Sequence, residues 1–207
     1  MWRRLLAHRG RLALSLAGAS IASMGIGQEL ARRLDLSGDV ALLTTSVVPG
    51  ILWVLAAVVL TTTDQPGGTL TRAAIGLYGL AFVLPAATFG YLSDKPFLGF
   101  VAFAWAWIAF PAWAANPALL IALELRRRRR ARRAAVVAVA AFVVASSAAA
   151  RIGWFGHVDQ ALSVDLGFVV WAGAIGLVAV AAVRASYSRA TGFGSMPRTA
   201  GHRNVAA

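Results

Sequence analysis

The stretch that decides the fold is 124–150, which reads ELRRRRRARRAAVVAVAAFVVASSAAA. It places seven arginines directly before a run, 134–150, that contains no Asp, Glu, Lys or Arg. Cytoplasmic loops of membrane proteins carry an excess of Lys and Arg, and a long charge-free apolar run is typical of a membrane-spanning helix. This junction therefore predicts a helix that enters a bilayer from the cytoplasmic side.

Five further runs on either side have the same character, the last of them starting near Ala161 with Asp165 close to the interface. The six predicted spans are about 12–28, 40–63, 73–93, 97–123, 134–150 and 161–183. About 20 mainly apolar residues in a helix cross a hydrocarbon core of about 30 Å. We therefore predict an all-α integral membrane protein with six transmembrane helices in one bundle, within residues 1–187. The remaining residues, 188–207, are polar and glycine-rich and are predicted to form a disordered cytoplasmic tail.

Overall composition agrees with a membrane location. Of the 207 residues 59% are hydrophobic and 14% are charged, and the mean hydropathy is +0.70. Soluble domains carry about 25% charged residues. The net charge of +12 would suggest nucleic acid, but the basic residues lie between apolar runs instead of on an amphipathic surface, so no nucleic-acid partner is expected.

The distribution of basic residues predicts the orientation of the chain. With six spans and a cytoplasmic N-terminus, 16 of the Lys and Arg residues lie in cytoplasmic segments and 4 lie on the opposite side. Both termini are therefore predicted to be cytoplasmic, in the plasma membrane of a prokaryote. A cleaved signal peptide is the alternative for the first span, although Leu12–Leu16 is shorter than the apolar region that such peptides need.

Several kinds of active centre lack the residues that they require. The chain has no cysteine, and His8, His157 and His202 lie outside the predicted spans, so thiolate metal sites and a transmembrane bis-histidine haem have no ligands. Lys95 is the one lysine and lies in a loop, which excludes a retinal Schiff base within a helix. We expect neither a metal nor another cofactor.

The arginine run has two interpretations. Four or more basic residues beside a span attract anionic lipid headgroups, and the same residues also prevent the flanking spans from inverting. The candidates for this lipid-headgroup or topology anchor are Arg126, Arg127, Arg128, Arg129, Arg130, Arg132 and Arg133. The sequence favours the topology anchor, with membrane lipid as a partner on the cytoplasmic side.

Prolines within the second to fourth spans suggest a second kind of site. Each proline removes an amide donor, and broken membrane helices can line a substrate path, although kinks are also ordinary in such helices. The candidates for a substrate path are Thr44, Thr45, Pro49, Pro85, Thr88 and Asn116. A kink in the long fourth span is expected at Pro111 or Pro117.

Small residues recur at helical spacing in three spans and predict close helix packing. The stripe in the first span is Gly18, Ala22 and Gly25; in the fifth it is Ala134, Ala138, Ala141, Ala145 and Ala148; in the sixth it is Ala172, Gly176 and Ala179. These stripes also allow a homo-oligomer or a membrane partner subunit.

Three functional hypotheses follow. The first is a non-enzymatic membrane component, either a scaffold or an accessory subunit, because charge-free spans with packing stripes contain no site chemistry. The second is a channel or carrier for a small neutral or amphiphilic solute, with kinked helices 2–4 lining the path. The third is a lipid-modifying membrane enzyme that uses His157 and Asp159 on the outer side.

Overall fold

The structure, a computed structural model, describes residues 2–36, 38–61, 65–89, 97–105, 111–149 and 162–190. Most of these residues are helical, which confirms the helical part of the prediction. The helices are α1 (Trp2–Arg33), α2 (Gly38–Leu60), α3 (Gly68–Ala81), α4 (Gly99–Trp105), α5 (Ala115–Arg127), α6 (Ala131–Ala149) and α7 (Leu166–Ala190). The strands are β1 (Pro85–Phe89), β2 (Phe97–Leu98) and β3 (Leu162–Val164).

The bundle of six spans is not supported in the form that the sequence predicted. Within the described residues, one helical segment, Leu166–Ser188 in α7, is long and apolar enough to cross a membrane. A shorter apolar segment, Thr45–Leu60, lies in α2. The predicted tail begins as the last turn of α7, and its remaining part, 191–207, lies outside the described residues.

The helices α1 and α2 form an antiparallel hairpin. α1 ends with Asp35 in the left-handed conformation, at φ 51°, and the Leu36 amide donates back to the Ala31 carbonyl at 2.9 Å. This arrangement is the Schellman motif, in which Asp is one of the few residues other than Gly that tolerate a positive φ. It supplies amide donors for the carbonyls at the end of α1 within a very short connection.

The turn between α2 and α3 follows from its sequence, Gln-Pro-Gly-Gly at 65–68, because Pro and Gly favour tight turns. The Gly68 amide donates to the Gln65 carbonyl at 2.9 Å, and Gly67 has φ 75°, a conformation that costs glycine little. α3 starts at Gly68, so the QPGG sequence both turns the chain and begins the helix.

The prediction of a continuous helix over 73–93 is wrong. α3 ends at Ala81, and the chain becomes extended in β1 from Pro85. Proline lacks an amide hydrogen and disfavours the helical conformation in the residue before it, here Leu84. The absence of charged residues shows that this run is apolar. It does not show that the run forms one continuous helix.

The extended residues form a small sheet, so the chain is not all-α. Its strand order is β2-β1-β3, and both pairs are antiparallel. Ala87 lies opposite Val164 of β3, and the register towards β2 shifts between Pro85 and Ala87. The sheet joins the end of α3 to the start of α7.

The predicted fourth span, 97–123, is divided in the structure. β2 leads into the short α4, and a 3-10 turn at Pro111–Ala114 leads into α5. Gly99 passes so close to α3 that a Cβ atom there would lie 2.0 Å from the Ala81 carbonyl oxygen. The 3-10 turn begins at Pro111, and Pro117 lies in the first turn of α5, where proline is tolerated.

The helices α5 and α6 form a second hairpin with the same type of turn. Arg129 has φ 60°, and the Arg130 amide donates to the Leu125 carbonyl at 2.9 Å. This is again a Schellman motif, although its left-handed position is held by an arginine where glycine is usual.

Candidate functional site

A buried polar centre lies where α3, α5 and α7 meet. The Oδ1 atom of Asn116 accepts a hydrogen bond from the Tyr78 hydroxyl at 2.7 Å and another from Trp171 Nε1 at 2.9 Å. Asn116 is 3% exposed and Tyr78 is fully buried. One amide oxygen therefore links three helices that are far apart in the sequence.

Local sequence explains why these side chains point inward. Tyr78 continues the buried face of α3, which also contains Thr71, Ala74, Ile75 and Ala81. Their spacing of three and four residues is that of one helix face. Asn116 is the second residue of α5 and is directed inward by the preceding 3-10 turn.

Aromatic rings surround one side of this centre. The rings of Trp53, Phe82, Phe103 and Trp113 pack with centroid separations between 5.2 and 6.0 Å, and Tyr78 contacts Phe82 at 5.3 Å. Trp113 Nε1 donates to the Phe103 carbonyl at 2.8 Å, which joins α4 to the 3-10 turn. Tilted aromatic pairs at these distances stabilise a core beyond the area that they bury.

The chemistry available at the centre is neutral hydrogen bonding. Within the described segments, no carboxylate, imidazole or amine is hydrogen-bonded to Asn116, Tyr78 or Trp171. Amide, phenol and indole groups can bind an uncharged polar molecule or hold helices together. General acid–base catalysis needs a group that titrates near the working pH.

A second set of polar contacts lies between α1 and α2. Ser20 donates to the Pro49 carbonyl at 2.8 Å, and Gly27 passes so close to α2 that its Cβ position is 3.0 Å from the Cα of Thr45. Ser46 is fully buried, and its hydroxyl meets no hydrogen-bond partner in the part of the chain that the structure describes.

The predicted substrate-path residues contact different parts of the molecule. Thr45 and Pro49 face α1, Asn116 faces α3 and α7, and Pro85 lies in the sheet next to Gly167 of α7. The side chains of Thr44 and Thr88 lie outside the described residues. The structure thus brings Thr45 and Pro49 together and places Asn116 with partners that the sequence did not suggest.

The arginine-rich connection between α5 and α6 lies beside the α2–α3 turn. Arg126 is buried, and its Nη2 donates to the Pro66 carbonyl at 2.6 Å. Gly67 in the same turn lies against Ala181 of α7. One end of the molecule therefore contains the α2–α3 turn, the α5–α6 turn and the last part of α7.

The N-terminal part of α1 reaches the same end. A Cβ atom on Gly10 would lie 2.8 Å from Nη2 of Arg127 and 3.2 Å from Oε1 of Glu124. The described basic residues of this end are Arg9, Arg11, Arg72, Arg126 to Arg130, Arg132, Arg133 and Arg184. At the opposite end, Asp35 forms the α1–α2 turn and the Asp165 amide bonds to Ala86 of β1. Basic and acidic groups are thus largely separated along the helices.

Arg127 and Glu124 form a shielded ion pair. Arg127 donates to both carboxylate oxygens, at 2.6 and 2.7 Å, and its side chain is 6% exposed. Burial raises the pKa of the Glu124 carboxyl, but the hydrogen bonds and charges of Arg127 and Arg128 outweigh that effect, so the pKa lies below its ordinary value. Glu124 is therefore ionised at neutral pH and neutralises part of the arginine run.

The other arginines of the run line an open concavity of about 750 Å³, called here the basic concavity. Arg129, Arg130, Arg132 and Arg133 border it on the α5–α6 side, and Ser186 and Ala190 of α7 border it on the other. The predicted anchor therefore has two parts. Arg126 and Arg127 are buried and connect helices, whereas the side chains from Arg128 to Arg133 are exposed.

The sequence did not identify Tyr78, Trp171 and Ser20 as hydrogen-bond donors. Tyr78 and Trp171 donate to Asn116, and Ser20 donates to the Pro49 carbonyl. A signal existed for Tyr78 and Ser20, because each is a hydrogen-bonding residue within a charge-free run. Which helices they would join depends on tertiary packing.

Comparisons of this chain with protein-family models, with curated proteins and with solved structures find no match.

Proposed function

We propose that this chain is a multi-pass membrane protein, with its basic end in the cytoplasm, that acts as a non-enzymatic membrane component, a scaffold or an accessory subunit. The observation that carries the proposal is the distribution of large and small apolar residues. Many large aliphatic side chains face outward from the helices, and most of the buried apolar residues are alanines.

α2 illustrates this distribution. Its exposed large residues are Val40, Leu43, Val48, Ile51, Leu55 and Val58, and no charged residue occurs between Val40 and Leu60. Monomeric soluble proteins rarely expose a contiguous apolar surface of this kind. α2 has 23 residues, and its apolar segment Thr45–Leu60 is shorter than a full span, which α7 provides.

The interior supports the same proposal. Four alanines of the α6 stripe are almost completely buried: Ala134, Ala138, Ala141 and Ala145. In lipid, helices gain little from hydrophobic burial against each other, and small residues let their backbones pack closely. The separation of arginines at one end agrees with the orientation that the positive-inside rule gives.

The small sheet is compatible with this location. Extended backbone at membrane depth must find hydrogen-bond partners within the protein. β1 has a neighbouring strand on both sides, so its backbone is paired towards both. This end of the molecule carries the acidic turn residues and would lie near the outer surface.

Reporter fusions to the full-length chain test the topology. A reporter after Ala207 and a second one before Met1 should both report the cytoplasm, and alkaline carbonate should leave the protein in the membrane fraction. Recovery of the chain in the soluble fraction, or reporters on opposite sides, would contradict the proposal.

The role as a subunit is tested separately by crosslinking in the native membrane followed by gentle solubilisation. A scaffold or accessory subunit should yield a defined crosslinked species that contains a second membrane protein or another copy of this chain. A protein that purifies alone and monodisperse, and that forms no crosslink, would remove the subunit role while leaving the membrane location intact.

A carrier for a small neutral or amphiphilic solute is the second candidate, because two buried polar positions, Asn116 and Ser46, lie within apolar helices. A carrier should give solute flux in reconstituted vesicles, and Asn116→Leu should reduce it while Ser15→Ala, at an exposed position on α1, should not. Absence of flux with a panel of small alcohols and amides would remove this candidate. The lipid-modifying enzyme rests on His157 and Asp159, which lie outside the described residues.

A further inference from the structure

The basic concavity concentrates positive charge in one place. A signal that only fixes the orientation of the helices does not require that concentration. The side chains of Arg130, Arg132 and Arg133 are exposed and form no ion pair or hydrogen bond within the described part of the chain. They face α7 across an open space, where Ser186 forms part of the opposite wall. Like charges gathered on one concavity repel one another, and a bound anion relieves that repulsion.

The part of the chain that the structure describes offers little negative charge to this space. Glu124 is occupied by Arg127 and Arg128. Glu29 pairs with Arg32 and Arg33 towards the acidic end of the molecule, where Asp165 also lies. Residues 191–207, which continue from α7 beside the concavity, contain no Asp or Glu. Within the described residues, no acidic side chain is left to neutralise these arginines, and a bound anion would do so.

Backbone groups add to the positive potential. α6 has 19 residues and begins at Ala131, on the lining of the concavity. The first amides of a helix have no acceptors within the helix and attract anions. Among them, the Ala134 amide already donates to the Arg130 carbonyl, so the amides before it are the ones that remain available.

We infer that the basic concavity binds the phosphate group of a phosphorylated ligand between the arginines of the α5–α6 turn and the wall formed by α7, where the Ser186 hydroxyl already donates to the Val183 carbonyl. A single carboxylate would match one guanidinium fork. A phosphate monoester carries up to two negative charges, a diphosphate carries more, and both have several acceptor oxygens. Such a group suits the three or four arginines of the concavity. The phosphate comes either from a lipid headgroup or from a soluble compound, and the lipid form rests on the proposed membrane location.

Two triple variants of the full-length protein test the site. The first, Arg130→Gln with Arg132→Gln and Arg133→Gln, removes three charges from the concavity. The matched control, Arg9→Gln with Arg11→Gln and Arg72→Gln, removes three exposed charges from the same end of the molecule but outside the concavity. Helical circular dichroism and thermal unfolding should stay close to wild type in both, because all six side chains are exposed.

Binding is measured in two arms. In the soluble arm, calorimetry follows pyrophosphate binding to the protein in non-ionic detergent. In the lipid arm, native mass spectrometry counts phosphatidic acid molecules retained from nanodiscs of phosphatidylcholine with a minority of phosphatidic acid. A charge-assisted hydrogen bond between an arginine and a phosphate is worth about tenfold in affinity, so the concavity variant should lose on the order of 100-fold or more. The control should lose only a few-fold.

The arms and variants give distinct outcomes. Loss confined to the concavity variant supports the site, and the arm in which it occurs identifies a soluble or a lipid source. Equal losses in the two variants would show diffuse attraction and overturn the inference, as would the absence of binding in both arms. Failure of the membrane proposal is recognised independently, by carbonate extraction of the unmodified chain.

Discussion

The hairpins α1–α2 and α5–α6 turn in the same way but pack differently. Each has a left-handed residue in a Schellman motif, and each contains a stripe of small residues. Ala134, Ala138, Ala141 and Ala145 of the α6 stripe are buried, whereas the predicted α1 stripe of Gly18, Ala22 and Gly25 is exposed. α1 instead buries the opposite face, with Ser20, Gly27 and Ala31. Small residues permit close packing, and other contacts determine which face is used.

The largest expected difference between the two stripes comes from adding bulk. Ala138→Leu inserts three carbons into a fully buried position of α6 and should lower the free energy of unfolding by about 3 kcal/mol. Ala22→Leu, at an exposed position on α1, should change it by less than about 0.5 kcal/mol. Equilibrium unfolding in mild detergent measures both, and similar losses would mean that the α1 stripe is also buried in a contact.

The ion pair of the second hairpin should make stability depend on pH. Glu124→Gln leaves Arg127 shielded without its counter-charge and should cost about 2 kcal/mol at pH 7. Because the pKa of Glu124 is lowered in the folded protein, its stabilising contribution is complete above the ordinary glutamate pKa. That contribution is lost as pH falls through the lower folded value.

Thermal unfolding between pH 7 and pH 3 distinguishes this contribution from those of other carboxylates. The difference between wild type and Glu124→Gln should shrink as the pH falls below the ordinary glutamate range. A constant difference across that range would show that the pair does not stabilise the fold through its charge.

Two glycines of α1 should respond to alanine with opposite signs. Gly25→Ala, where no atom lies within 4 Å of the new Cβ, should stabilise the helix by about 0.5–1 kcal/mol. Gly27→Ala places its Cβ 3.0 Å from the Thr45 backbone and should be destabilising by about 1 kcal/mol, because backbone atoms cannot move aside easily. Stabilisation by both changes would place α2 against a different face of α1.

The smallest effect is expected for the hydrogen bond between the first two helices. Ser20→Ala removes the donor to the Pro49 carbonyl and should cost about 0.6 kcal/mol, the average for such bonds between membrane helices. Ser23→Ala is the matched control, because Ser23 bonds to the Ser20 carbonyl within its own helix. Both changes replace serine with alanine in α1, so their effect on helix propensity is the same. The difference between their free energies of unfolding therefore measures the hydrogen bond between α1 and α2.

Part of this architecture could be predicted from residues alone. The hydrophobic runs located most helical segments, and the QPGG sequence located the turn before α3. The sheet could not be predicted, because β1 acquires its partners from residues 97–98 and 162–164, which are distant in sequence. Pro85 nevertheless signalled that the third run could not remain helical.

The candidate site was predicted less completely than the fold. Asn116 was recognised because it is polar in an apolar run, but its two donors lie on α3 and α7, which sequence spacing cannot bring together. The arginine run was recognised as one feature, whereas packing divides it. Arg126 and Arg127 turn inward because they lie in the last turn of α5, which is packed against its neighbours.

The arrangement of the sheet has a consequence for how the chain is made. Translation proceeds from the N-terminus, so β1 leaves the ribosome long before β3 is synthesised. Until Leu162–Val164 arrives, one edge of β1 has no strand beside it. Nascent chains halted before residue 162 should therefore be open to proteases at 85–89, and completion of the last helix should close that edge.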